Sequence, residues 1–114
     1  MNRFQRDMET LINEGFLVAN NGKIRFIFRY KPKAEVAALD LGERAYNCVR
    51  RKGLHTVEAI GDTFEDLWRI KGAGAKTIKE IKNKYLAYYY GELNEEEKKQ
   101  FWRDTIEATM NMGK

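Results

Sequence analysis

Phe4, Met8, Leu11 and Ile12 recur at the spacing that lines one face of a helix, which predicts a helix over residues 3–14 with Gly15 as its stop. The period then changes. Phe16-Leu17-Val18-Ala19 and Ile24-Arg25-Phe26-Ile27-Phe28-Arg29-Tyr30 are β-rich runs, and in the second Ile24, Phe26, Phe28 and Tyr30 alternate with Arg25, Ile27 and Arg29. Between them, Asn20-Asn21-Gly22-Lys23 carries an Asn-Gly step suited to the positive φ angles of a tight turn. The protein is therefore expected to open with a helix and a β-hairpin, closed by its single proline, Pro32. A two-stranded hairpin is marginal alone. It should pack on a helix, on the main domain or on another copy of itself.

From residue 34 the pattern is helical. One helix fits 41–52 and ends at Gly53, and a short turn covers 57–61. Asp62-Thr63-Phe64-Glu65-Asp66 then offers a capping signal for a helix running to Ile70. Lys71-Gly72-Ala73-Gly74 breaks that helix, and another runs from Ala75 to Tyr90. Asn94 followed by three glutamates marks a last helix over 94–110, with acids at the positive end of its dipole. Phe101, Trp102, Thr105, Ile106, Thr109 and Met110 line one side of it. The expected fold is mainly α: an appendage at 1–33 and a compact helical domain at 34–114 that includes the C-terminal helix.

Composition narrows the function without naming it. The protein has 114 residues, 43% hydrophobic, enough for one domain with a real core. Its net charge of +4 is modest, but residues 1–33 and 39–90 are basic while 91–114 are acidic, so a polyanion should approach the first two stretches. The single Cys48 rules out an internal disulfide and a cysteine cluster, and the single His55 has no partner at ligand spacing. No metal and no cofactor are expected. No apolar run reaches the roughly 18 residues of a membrane helix, and the N-terminus lacks the apolar core of a signal peptide. A cytoplasmic, reducing location with no membrane partner is the expectation. Nor does the sequence offer a convincing carboxylate pair or catalytic lysine, so the protein is not expected to be an enzyme.

The informative stretch is Leu67-Trp68-Arg69-Ile70-Lys71-Gly72-Ala73-Gly74-Ala75-Lys76-Thr77-Ile78-Lys79-Glu80-Ile81. Two helices joined by Gly-x-Gly, with Lys76 and Thr77 just inside the second, form a helix-hairpin-helix pattern. Glycines permit the tight turn and close approach of another molecule. Free N–H groups at the new helix start, with the helix dipole, suit a phosphate. A nucleotide-binding P-loop is excluded by spacing, and a dinucleotide site by the helix that precedes the glycines. Independently, Arg44, Asn47 and Arg51 share one helix stripe at i, i+3 and i+7, beside an apolar stripe of Leu41, Ala45, Cys48 and Val49.

Leu39-Asp40-Leu41-Gly42-Glu43-Arg44-Ala45-Tyr46-Asn47-Cys48-Val49, then Gly53-Leu54-His55-Thr56-Val57, Ile60-Gly61-Asp62 and the hairpin, resemble the C-terminal domain of the bacterial RNA polymerase alpha subunit over about residues 38–86. The resemblance implies a compact helical fold that binds A·T-rich double-stranded DNA in the minor groove and offers surfaces to sigma factor and activators. It assigns DNA contact to Arg44, Asn47 and Cys48 and to the hairpin's Gly74, Lys76, Thr77 and Glu80. Arg51 and Gly72 join them from the stripe and the turn. An arginine suits a narrow A·T-rich minor groove, where negative potential is concentrated. Glu80 is expected to orient a basic neighbour.

Several positions depart from the family's pattern. Ala75 replaces a second basic residue, Thr77 a serine, and only Asp40 remains of an acidic surface before the first helix. The family's large assembly domain is expected to be absent, with about 33 residues in its place. The leading expectation is a small bacterial or phage transcription-related accessory protein, with a homodimer through residues 1–33 as one arrangement. The alternative is a protein-protein interaction module that contacts RNA polymerase or a regulator. Arg44 tied up by Glu43 or Glu80 would favour it.

Overall fold

The computed structural model describes residues 1–113. Its elements run α1 (Arg3–Asn13), a 3-10 turn (Val36–Leu39), α2 (Glu43–Arg51), α3 (Val57–Asp62), a second 3-10 helix (Phe64–Arg69), α4 (Ala75–Gly91) and α5 (Glu95–Met110). The mainly α expectation holds. The protein divides into two compact units, one of residues 30–89 and one of residues 1–29 with the stretch from Tyr90 onward. α5 groups with the N-terminal segment.

In the 30–89 unit, α2 buries Ala45, Cys48 and Val49 and leaves Arg44, Asn47 and Arg51 exposed on its outer side. Gly53, at φ +87, turns the backbone after α2. The returning segment is pinned by an isolated antiparallel bridge between Glu35 and Thr56, where Val36 N–H donates to His55 O and Val57 N–H to Ala34 O, both at 2.9 Å. Thr56 then caps α3, accepting Ala59 N–H at 3.1 Å. The segment expected as a turn at 57–61 is thus a helix.

The capping signal at residues 62–66 does not start an α-helix. Thr63 Oγ1 donates back to Ala59 O at 2.8 Å, so the hydroxyl closes α3 instead. Phe64–Arg69 becomes a 3-10 helix, whose three-residue period suits the buried positions Phe64, Leu67 and Ile70.

In the other unit, α1 opens with a capping box between Asn2 and Gln5, and Gly15 follows it at φ +81. The Asn-Gly turn forms: Asn21 and Gly22 have φ of 53° and 74°, and Asn20 and Lys23 exchange both backbone hydrogen bonds. The β-hairpin does not. No strand exists among the described residues of this unit beyond that single bridge. Arg25 N–H instead donates to Thr109 Oγ1 at 2.9 Å, and the Asn20 side-chain amide donates to the carbonyls of Thr109 and Met112. Phe26 and Phe28 then meet Phe101 at 6.0 and 6.4 Å between ring centroids, so the run lies along α5.

The predicted start of α5 is present as a capping box, with Asn94 Oδ1 accepting Glu97 N–H and Glu97 Oε1 accepting Asn94 N–H, both at 2.8 Å. Phe101, Trp102, Thr105 and Thr109 are buried, whereas Met110 is exposed and leaves the expected apolar side. Trp102 Nε1 donates to Tyr90 Oη at 2.7 Å, and that hydroxyl donates to Asp7 Oδ2 at 2.6 Å. Arg3 bridges Asp7 and Glu95, closing the network. Among the described residues no helix is long and apolar enough to cross a membrane.

Candidate nucleic-acid interface

α2 and the start of α4 supply the surface, and two contacts bring them together. Glu80 Oε2, one turn into α4, accepts the Gly42 N–H at 2.6 Å. Gly42 is the N-cap residue of α2 and has no side chain to satisfy the helix start, so a carboxylate from α4 meets the positive end of α2. Further along, Cys48 Sγ lies 4.0 Å from Gly72 O and 3.8 Å from Arg51 Nη2. The thiol is buried, 1% exposed, and stands behind the surface, supporting the hairpin turn and the Arg51 guanidinium.

The turn is built as glycine chemistry requires. Gly72 has φ +84, a left-handed conformation costly for other residues. Ile78 N–H donates to Gly74 O at 3.0 Å, so Gly74 opens α4 and the amides of Ala75, Lys76 and Thr77 fall in the first turn, where no intrahelical acceptor exists. Nothing lies within 4 Å of where a Gly74 side chain would begin. Lys76 is exposed and Thr77 half-buried at this end.

Six cations form ion pairs, Arg3, Arg29, Lys31, Lys33, Arg69 and Lys99, among the described residues. Arg44, Arg51 and Lys76 have no carboxylate partner among the described residues. Glu80, expected to orient a basic neighbour, instead holds the Gly42 amide. Sequence reading missed Gly42; its signal was a glycine directly before an acid-led helix. No group of three or more His, Cys, Asp or Glu among the described residues could hold a metal ion.

These features define a small helix-hairpin-helix module with an unpaired cationic face. The family model for the C-terminal domain of the bacterial RNA polymerase alpha subunit matches residues 29–86, and the protein belongs to that family. The matched span nearly coincides with the 30–89 unit. The sequence is 35% identical over 54 residues to the DNA-directed RNA polymerase subunit alpha of Symbiobacterium thermophilum, a stretch that is 46% of this protein and 17% of that subunit. No solved structure matches it significantly. The family's domain serves transcription and is not itself catalytic.

Proposed function

We propose that the 30–89 unit binds double-stranded DNA, with Arg44 and Asn47 facing an A·T-rich minor groove and the 72–77 turn, with Lys76 and Thr77, holding a backbone phosphate. DNA binding is the typical role of the family's domains. One observation carries the reading: Arg44 and Arg51 on α2 and Lys76 at the start of α4 are exposed, without an ion pair among the described residues, on the two elements that the Glu80–Gly42 bond joins. An arginine already held by a carboxylate would have to break that pair to bind. Arg51 flanks the groove contact, Gly72 and Gly74 shape the turn, and Cys48 and Glu80 act from behind. The protein would serve as a transcription-related accessory factor in the cytoplasm of a bacterium or its phage. Two copies paired through residues 1–33, where Phe16 and Val18 are exposed, would raise the effective affinity.

The test is an NMR titration of the protein with a short A·T-rich duplex at low salt, repeated with Arg44→Ala. Shifts should centre on Arg44, Asn47 and residues 72–80, weaken about tenfold or more in the variant, and fall steeply with salt. Amides that stay still in a folded protein would refute the reading.

A second reading has its own observation. Trp68 is 64% exposed with the Arg69 guanidinium 5.0 Å from its ring centre, the kind of aromatic anchor found in protein interfaces. RNA polymerase or a regulator would be the partner. Trp68→Ala should then abolish co-purification with polymerase while leaving the duplex titration unchanged.

A further inference from the structure

Asn47 and Arg51 of the stripe described above, together with Arg50 and His55, line an open depression of about 540 Å³. Its lining is two guanidiniums, an imidazole and a carboxamide, with no carboxylate. Asn47, Arg50 and Arg51 stand at i, i+3 and i+4, so one turn of α2 forms a wall. His55 comes from the segment returning after Gly53, and its carbonyl accepts Val36 N–H at 2.9 Å, which fixes that opposite wall through the backbone.

Both arginines are oriented by uncharged groups. Arg50 Nη1 donates to Tyr46 Oη at 3.2 Å, and its guanidinium carbon lies 5.6 Å from the centre of the Tyr46 ring. Arg51 Nη2 reaches Cys48 Sγ at 3.8 Å. Each contact uses one donor of the five on a guanidinium and leaves its charge uncompensated. A solvated helix face needs no concave wall and no oriented arginines. A planar fork of donors held in place suits a tetrahedral oxyanion.

We propose that this depression is a phosphate-binding pocket, in which Arg50 and Arg51 take the anionic oxygens and Asn47 and His55 complete the donor set. The phosphate can come from a DNA strand or from a free phosphorylated small molecule. The first source rests on the DNA-binding reading above; the second does not.

Inorganic pyrophosphate and a short A·T-rich duplex are the probes, each added to the full-length protein at matched ionic strength against a chloride control. The readout is NMR of the Asn47 side-chain amide, the Arg50 and Arg51 Nε–H groups and the His55 ring. Pyrophosphate should shift all four saturably, and Arg50→Gln or His55→Gln should weaken that binding roughly threefold or more with core amides unmoved. If DNA is the source, the duplex shifts the same groups, and Arg50→Gln lowers the salt slope of DNA binding by about 1. If the duplex moves residues 72–77 but not Arg50, while pyrophosphate still fills the pocket, the source is a free phosphorylated ligand. A duplex that moves nothing, with pyrophosphate still bound, sinks the DNA reading alone. Pyrophosphate and duplex that both leave the four groups at their chloride positions, or that shift residues 74–77 only, overturn the pocket.

Discussion

Glu80 and Gly42, 38 residues apart, meet through a 2.6 Å hydrogen bond in which a carboxylate on α4 accepts the amide at the N-cap of α2. Arg44 follows Gly42 by two residues, and Lys76 and Thr77 precede Glu80 by about one turn. The bond therefore sets the spacing between Arg44 and the 72–77 turn. Glu80→Ala should cost about 1–2 kcal/mol in urea unfolding, the range for a charge-assisted bond at a half-exposed site. It should also weaken DNA binding while leaving the salt slope unchanged, since no phosphate contact is lost. Lys76→Ala should do the reverse, lowering the slope by about 1 at near-constant stability. Equal slopes for the two variants would contradict this division of roles.

Much of the surface was legible because it depends on local spacing. Arg44, Asn47 and Arg51 fall on one stripe by helix geometry alone, and Gly-x-Gly before Lys-Thr announces the turn. The Asn-Gly step likewise gave the positive φ pair. The run at 24–30 was misread for a physical reason: alternation shows that one face is covered, and not what covers it. Here α5 supplies Thr109 and Phe101, so a helix takes the place of a partner strand. The spacing of Phe64, Leu67 and Ile70 at three residues was a visible 3-10 signal, masked by an apparent cap at Thr63. The Glu80–Gly42 pairing had no local trace at all.

Gly61 is needed for packing rather than for turning. A Cβ at that position would overlap the Tyr85 hydroxyl and approach the Tyr85 ring carbon Cζ to 2.9 Å. Tyr85 is itself 1% exposed, and its burial holds the phenol neutral well above the usual tyrosine range. Gly61→Ala should destabilise the protein by about 1–3 kcal/mol through overpacking. Adding Tyr85→Phe should recover part of that loss, seen as a coupling in a double-mutant cycle of urea midpoints.

Tyr90 links the Trp102 indole, which has no other acceptor among the described residues, to Asp7, which Arg3 also holds. Its hydroxyl accepts the Trp102 indole N–H at 2.7 Å and donates to Asp7 at 2.6 Å, and burial raises its pKa first, with the Asp7 bond adding to the effect. Tyr90→Phe leaves the indole N–H without its acceptor in a site only 8% exposed. The expected cost is about 1–3 kcal/mol, read from Trp102 fluorescence in a Trp68→Phe background. A loss within error would mean that another acceptor replaces the hydroxyl.

Acid should loosen the α5 contacts through Asp104. The Arg29 guanidinium, bonded to both carboxylate oxygens at 2.6 and 3.0 Å, holds this carboxyl below its ordinary range, with Gln100 assisting. A folded-state pKa below the unfolded one gives stability that is complete above the ordinary carboxylate value of about 4 and is lost as pH falls through the folded value. Arg29 is 69% exposed, so solvent screening keeps the contribution to roughly 1 kcal/mol or less. Asp104→Asn should lower stability by that amount at neutral pH and flatten the decline below about pH 4. An unchanged acid limb would assign the decline to other carboxylates, such as Glu95 beside Arg3.

Thr105 carries a cost that the fold does not recover. Its side chain is fully buried on α5, and Oγ1 has no hydrogen-bond partner among the described residues. A helical threonine can bond back to a carbonyl one turn earlier, but this hydroxyl does not. An unsatisfied buried hydroxyl costs about 1–3 kcal/mol relative to one that is paired. Valine keeps the branched shape and volume and replaces the hydroxyl with a methyl group. Thr105→Val should therefore raise stability by about 1 kcal/mol, seen as a higher urea midpoint at constant slope. Thr109, equally buried, is the control: its Oγ1 accepts the Arg25 N–H at 2.9 Å, so Thr109→Val should destabilise by a similar amount. Opposite signs for the two substitutions would show that pairing of the hydroxyl, and not burial of the side chain, decides the outcome. If both destabilise, Thr105 has found a partner in solution.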